Sequence, residues 1–223
     1  MSAAFRYIAI LLLSLTAVCA CAQGRPHRPR GLLELALVPE VQKELKLDDS
    51  HVAELRAARV TLEEKARGDR SVIMGLSPEE REKRFQAFRA EVERKVAEVL
   101  DVQQMRRLKQ LDLQLWGTRA LVRQDVQDRL HLSPDQRARI QSIMADERSA
   151  VRSVFGDFHG GKELTPEQRA ELRKKLDAMR DIQAQADGKL IAVLSEHQQK
   201  HFRWIQGPPF KFPDFHSRPP GGA

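Results

Sequence analysis

Two histidines, His197 and His201, lie four residues apart in a chain of 223 residues. On an α-helix that spacing puts both imidazoles on one face, where they can ligate Zn, Ni or Cu. His51, His131 and His159 are candidate further ligands, but no carboxylate–histidine grouping closes a site around the pair. Such a pair also arises on ordinary surface helices. Other chemistry is scarce. The chain has no G-x-S-x-G, no P-loop, no H-E-x-x-H and no Rossmann glycine run. With 2 cysteines, Cys19 and Cys21, neither a disulfide scaffold nor a four-cysteine zinc site can be built. The acids stand among bases at helix-surface spacing, the pattern of solvated, salt-bridged faces. The expectation is a protein that is not an enzyme and needs no cofactor.

Basic pairs such as Arg106-Arg107 and Lys174-Lys175 come without the aromatic platform that a single-stranded nucleic acid requires. They read as solvated helix faces, or as cationic faces that touch anionic lipid or acidic unfolded segments. The expected partners are therefore unfolded or partner proteins, not nucleic acid.

The elements that position these residues announce themselves by their starts. A leucine, a capping side chain, two variable residues and usually Gln or Glu recur six times. The signature begins at Leu47-Asp48, Leu76-Ser77, Leu100-Asp101, Leu132-Ser133, Leu164-Thr165 and Leu194-Ser195. Ser, Thr or Asp at the N-cap accepts a bond from an orphan amide of the first turn. Proline directly after the cap costs nothing, because no amide proton is needed there. Gln or Glu at the third helical position reaches back to the cap amide and completes a capping box. Gln136 follows Leu132-Ser133 in this role, and Gln168 follows Leu164-Thr165. His51 is the one poor third-position residue.

The six starts fall into three pairs in the same order. Leu47 and Leu132 are 85 apart, Leu76 and Leu164 are 88 apart, and Leu100 and Leu194 are 94 apart. The flanks agree: Leu108, Leu111 and Gly117 echo Phe202, Ile205 and Gly207. The spacing predicts two tandem divergent repeats, 31–117 and 118–207. Behind each start runs an apolar stripe at helical spacing, such as Val52, Leu55 and Leu62, or Leu172, Leu176 and Met179. No alternating β-branched run interrupts them. The expected fold is all-α, with long amphipathic helices paired in helical hairpins. Aromatics make up only 5% of the chain, so its core should be aliphatic and shallow. Apolar residues left accessible could then make adaptable contacts, and Phe85, Phe88, Met105, Met144 and Met179 are the candidates. The Pro- and Phe-rich segment 208–223 is expected to be a disordered tail.

The first thirty residues bear on compartment. Ile8 to Val18 is a short apolar run behind a single base, Arg6, and is about half the length of a membrane-spanning helix. Residues 1–22 therefore read as a secretory signal peptide. Ala20-Cys21-Ala22 fits a cleavage site releasing Gln23, whereas Val18-Cys19-Ala20-Cys21 fits a lipobox in which Cys21 is lipidated. The basic segment 23–30 (QGRPHRPR) reads as a spacer, either a tether to a membrane anchor or an unstructured mature N-terminus. Composition agrees with a folded exported body. At 41% hydrophobic and 31% charged residues, the chain is too apolar for general disorder and too charged for a multi-span membrane protein.

The repeated Leu-Ser/Thr-x-x-Gln element resembles the LTxxQ family, the Spy/CpxP-like periplasmic proteins. Leu164-Thr165-Pro166-Glu167-Gln168 and Leu132-Ser133-Pro134-Asp135-Gln136 carry the resemblance. It implies a cradle of long amphipathic helices and an ATP-independent chaperone or envelope-stress role in the bacterial periplasm. Related helical-hairpin proteins bind metals, which keeps a Zn, Ni or Cu sensor or resistance role open, beside that of a structural lipoprotein. This chain departs from the family in carrying two tandem units.

Overall fold

The computed structural model describes residue 29 and residues 31–156 and 165–215. Two short helices, α1 (Leu32–Ala36) and α2 (Pro39–Glu44), lead into a long hairpin. Its limbs are α3 (Asp49–Met74) and α4 (Pro78–Val99), and α5 (Val102–Trp116) follows. A 3₁₀ segment (Gly117–Val122) and α6 (Gln124–Arg129) then precede a second hairpin of α7 (Pro134–Phe155) and α8 (Pro166–Ala192), which α9 (Glu196–Gln206) closes. The described residues contain no strand, and the fold is all-α.

Side-chain caps start the six longer helices. Ser77/Glu80, Asp101/Gln104, Ser133/Gln136, Thr165/Gln168 and Ser195/Gln198 form complete capping boxes. In α3 the Asp48 carboxylate accepts the His51 amide at 2.9 Å, and the His51 ring meets the same oxygen at 2.6 Å instead of returning to the cap amide. The turns entering the two hairpins share one geometry. The Leu47 amide donates to the Gln42 carbonyl at 2.9 Å, and the Leu132 amide to the Gln127 carbonyl at 3.0 Å. This six-residue closure requires a left-handed residue just after the short helix. Lys46 (φ 53°) and His131 (φ 51°) supply it, although neither is glycine.

Gly31–Lys211 is a single compact unit. The reason is a junction in which short elements and helix ends share buried aliphatics. Leu33, Leu35, Val41, Leu45, Leu55 and Val96 are buried on one side. Leu121, Val126, Leu130, Ile140, Leu190 and Phe202 are buried on the other, and α5 joins them through Leu108, Leu111 and Leu113. Helix α5 packs against α1, the 3₁₀ segment and α9.

Beyond the junction the hairpins thin to two helices. Of the side chains described between residues 63 and 95, none is buried, and none is buried from 148 to 156 or from 165 to 185. These distal arms cannot build a core of their own because each helix has only one neighbour to pack against.

The segment expected to be a disordered tail departs from that at its start. Gln114 donates to the carbonyls of Gln206 (2.7 Å) and Pro208 (2.8 Å), and its side-chain oxygen accepts the Phe210 amide at 2.9 Å. Arg107 adds a bond to the Pro208 carbonyl at 3.0 Å. Gly207 permits the close approach: it has φ 68°, and a Cβ there would lie 2.3 Å from the Gln110 side chain. The rings of Phe212 and Phe215 have centroids 6.4 Å apart.

Candidate functional site

The best-built polar geometry lies where the capping motif meets the junction. The Gln136 side-chain amide donates to the Val193 carbonyl at 2.9 Å and to the Gln198 side-chain oxygen at 2.7 Å. Gln198 donates back to Gln136 at 3.1 Å and to the Leu130 carbonyl at 3.3 Å. Each glutamine also closes its own capping box, so one side chain starts a helix and ties it to a neighbour. Ser133 and Thr165 act only locally, bonding Gln136 and Gln168 of their own helices. Leu132 is buried at the hairpin entry, while Leu164 lies outside the described residues. In the first half Gln104 reaches the Leu45 carbonyl at 3.2 Å, but His51 occupies the place of its glutamine partner and no interlock forms. The motif thus caps helices and, at Gln136 and Gln198, ties them together.

Two ion pairs and one hydroxyl hydrogen bond tie the 3₁₀ segment and the residue after it to three helices. Arg119 bonds Glu147 of α7, Thr118 bonds Asp187 of α8, and Arg123 bonds Asp112 of α5 as well as Asp125. Burial pushes the Asp112 carboxyl above its usual range, and the Arg123 charge and hydrogen bond offset only part of that. Burial also works against the Arg123 charge, but its bonds to Asp125 and Asp112 outweigh it and hold the guanidinium more firmly protonated. Glu147 leaves one buried carboxylate oxygen without a partner. Removing one member of such a pair strands the other, so these contacts set the register of the junction.

The residues nominated for adaptable contacts separate by location. Phe85 is 49% exposed on α4, and Phe88, one turn on, is half-buried. Met105 and Met179 are half-buried on α5 and α8. Met144 is a correction. At 8% exposure it packs in the core cluster with Ile140 and Leu190, because it falls on the inward stripe of α7 near the junction.

His197 and His201 share the outer face of α9, with the His201 ring 5.7 Å from that of Trp204. His51 is engaged by Asp48, His131 forms the left-handed turn, and His159 lies outside the described residues. Among the described residues no group of three or more His, Cys, Asp or Glu side chains could hold a metal ion. The candidate signal peptide, Cys21 and most of the basic spacer also lie outside the described residues. No described helix is long and apolar enough to cross a membrane.

The two most exposed large apolar side chains among the described residues, Val102 and Trp204 at 86% and 74%, escaped sequence reasoning. Their signal was available: Trp204 falls between Phe202 and Ile205, off the buried stripe of α9. Comparisons with protein-family models, with curated proteins and with solved structures yield no match for the chain.

Proposed function

We propose that this chain is an exported, non-enzymatic interaction protein of the cell envelope, and that the distal arms of its two hairpins receive unfolded or partner polypeptides. One observation carries the reading. Two paired helices per arm expose or half-bury every described apolar side chain, including Val72, Phe85 and Phe88 on one arm and Val154, Leu176 and Met179 on the other. Large apolar side chains on an unburied arm, interleaved with lysines and arginines, suit weak contacts with diverse chains and need no nucleotide. Export rests on the N-terminal apolar run and the small residues after it, and lipid anchoring on Cys21 belongs to the same proposal.

The two halves are read as divergent copies of one unit. In support, Lys46 and His131 share a left-handed turn, Gly117 and Gly207 share positive φ, and Gln104 and Gln198 make corresponding bonds to Leu45 and Leu130. The resemblance to Spy/CpxP-like proteins points the same way.

The purified chain, without ATP, should suppress aggregation of a chemically denatured client at several-fold molar excess. Phe85→Ser combined with Phe88→Ser should remove at least about half of that effect while leaving the fold intact, because neither ring is buried. Absence of suppression by the unaltered chain contradicts the reading.

A further inference from the structure

Helices α5 and α9 pack side by side and leave between them a recess of about 660 Å³. Its floor is aliphatic: Leu113 and Ile205 belong to the core, and Met105 is half-buried beside them. Its rim is cationic. Arg106 and Lys109 come from α5, Arg203 from α9 and Arg129 from the end of α6, and none of the described lining residues is acidic. Lys109 is paired with Glu93. Arg106, Arg129 and Arg203 are exposed and have no hydrogen-bond or ion-pair partner among the described residues. The exposed Trp204 and Val102 stand at the same opening.

The recess is also held in shape. Gly207 and Pro208 contribute to its lining, and Gln114 and Arg107 fix that stretch to α5 with four hydrogen bonds at 2.7–3.0 Å. A pre-formed cavity of this size, apolar inside with a few charges around it, has the form of a ligand site.

We propose that this groove docks an acidic peptide segment bearing one large apolar side chain, a site separate from the hairpin arms. The apolar side chain would fill the recess against Met105, Leu113 and Ile205 with Trp204 at its edge. Flanking carboxylates would meet the three unpaired arginines, each able to bind a carboxylate through two N–H donors. Charge complementarity decides the sign of the partner, and the concave aliphatic floor decides its class. A planar lipid surface leaves the recess empty. A nucleic-acid strand needs successive aromatic platforms, and the groove offers only Trp204.

The test uses the full chain and a fluorescent synthetic peptide of glutamates around one phenylalanine, followed by anisotropy at low salt. The peptide should bind, and Arg106→Glu combined with Arg203→Glu should weaken binding by about tenfold or more. Replacing the peptide's phenylalanine by serine should weaken it by a similar factor. Since both arginines are exposed, the variant keeps its fold and its suppression of client aggregation, which separates failure of this site from failure of the arms. Binding that ignores the arginine changes overturns the proposal. So does failure to bind the peptide while anionic vesicles or an oligonucleotide bind.

Discussion

The two hairpin arms are built from helices of similar length but are held together differently. Exposed ion pairs, Lys65–Glu91 and Arg84–Asp69, cross between α3 and α4, while Val60, Val72 and Phe85 stay more than two-fifths exposed. Between α7 and α8, Lys175 donates to the Val154 carbonyl at 2.7 Å, and Ile143, Val151, Leu172, Leu176 and Ile182 are all half-buried. Exposed ion pairs contribute about 0–1 kcal/mol each, less than the burial of one large aliphatic side chain. The first arm is therefore the looser one and displays more apolar surface. The halves differ likewise at the junction. Glutamines 136 and 198 interlock in the second half, whereas His51 turns to Asp48 in the first. Stability is concentrated where α5 meets the short elements and falls outward along both arms, further along the first.

The largest expected effect contrasts junction with arm. Leu111→Ala removes a fully buried side chain from the helix that links both halves, and should cost about 2–5 kcal/mol in urea unfolding. Phe88→Ala, on the unburied arm, should cost less than about 1 kcal/mol. Equal costs would mean that the arm is as well packed as the junction.

The next contrast exchanges the two capping solutions. Gln136→His should break the interlock with Gln198 and destabilise the second half by about 1–3 kcal/mol. His51→Gln places a capping-box residue opposite Gln104 and should raise stability by about 0.5–1 kcal/mol. Thermal unfolding of the two variants checks both directions.

How much of this was legible in the residues follows from range. Helix starts were legible because Ser77, Asp101, Ser133, Thr165 and Ser195 act within their own first turn. All-α hairpins followed from stripes of helical period. The buried pairs Arg123–Asp112 and Arg119–Glu147 were not legible, since identical charges elsewhere on the chain are solvated and only the packed short elements desolvate these. Lys46 and His131 gave no warning of positive φ, because the conformation is imposed by closure of the turn onto Gln42 and Gln127. Met144 was misplaced because an apolar stripe does not say where a hairpin leaves its core. The α5–α9 groove joins residues about a hundred apart in the chain, which no local pattern could bring together.

The smallest effect is on pH. Backbone amides of His51 and Ser77 hold the exposed carboxyls of Asp48 and Glu80 below their ordinary values. A depressed folded-state value makes the stabilisation present above the ordinary carboxylate range and lost as pH falls through the folded value. The glutamine boxes of α7 and α9 do not titrate. As pH falls through the folded-state values of Asp48 and Glu80, the His51 and Ser77 amides should lose these bonds and their resonances should shift, whereas the Ser133 and Ser195 amides keep their glutamine acceptors. Simultaneous shifts would remove this distinction between the hairpins.

Residue-resolved hydrogen exchange, with and without an unfolded client, tests the central claim most directly. In the free chain, residues 63–95 should exchange fastest among the helices, residues 148–156 and 165–185 more slowly, and the ends joined by α5 slowest. Added client should protect the two arms, the first most strongly, and leave the junction unchanged. Protection confined to the junction, with both arms exchanging as before, would contradict the account.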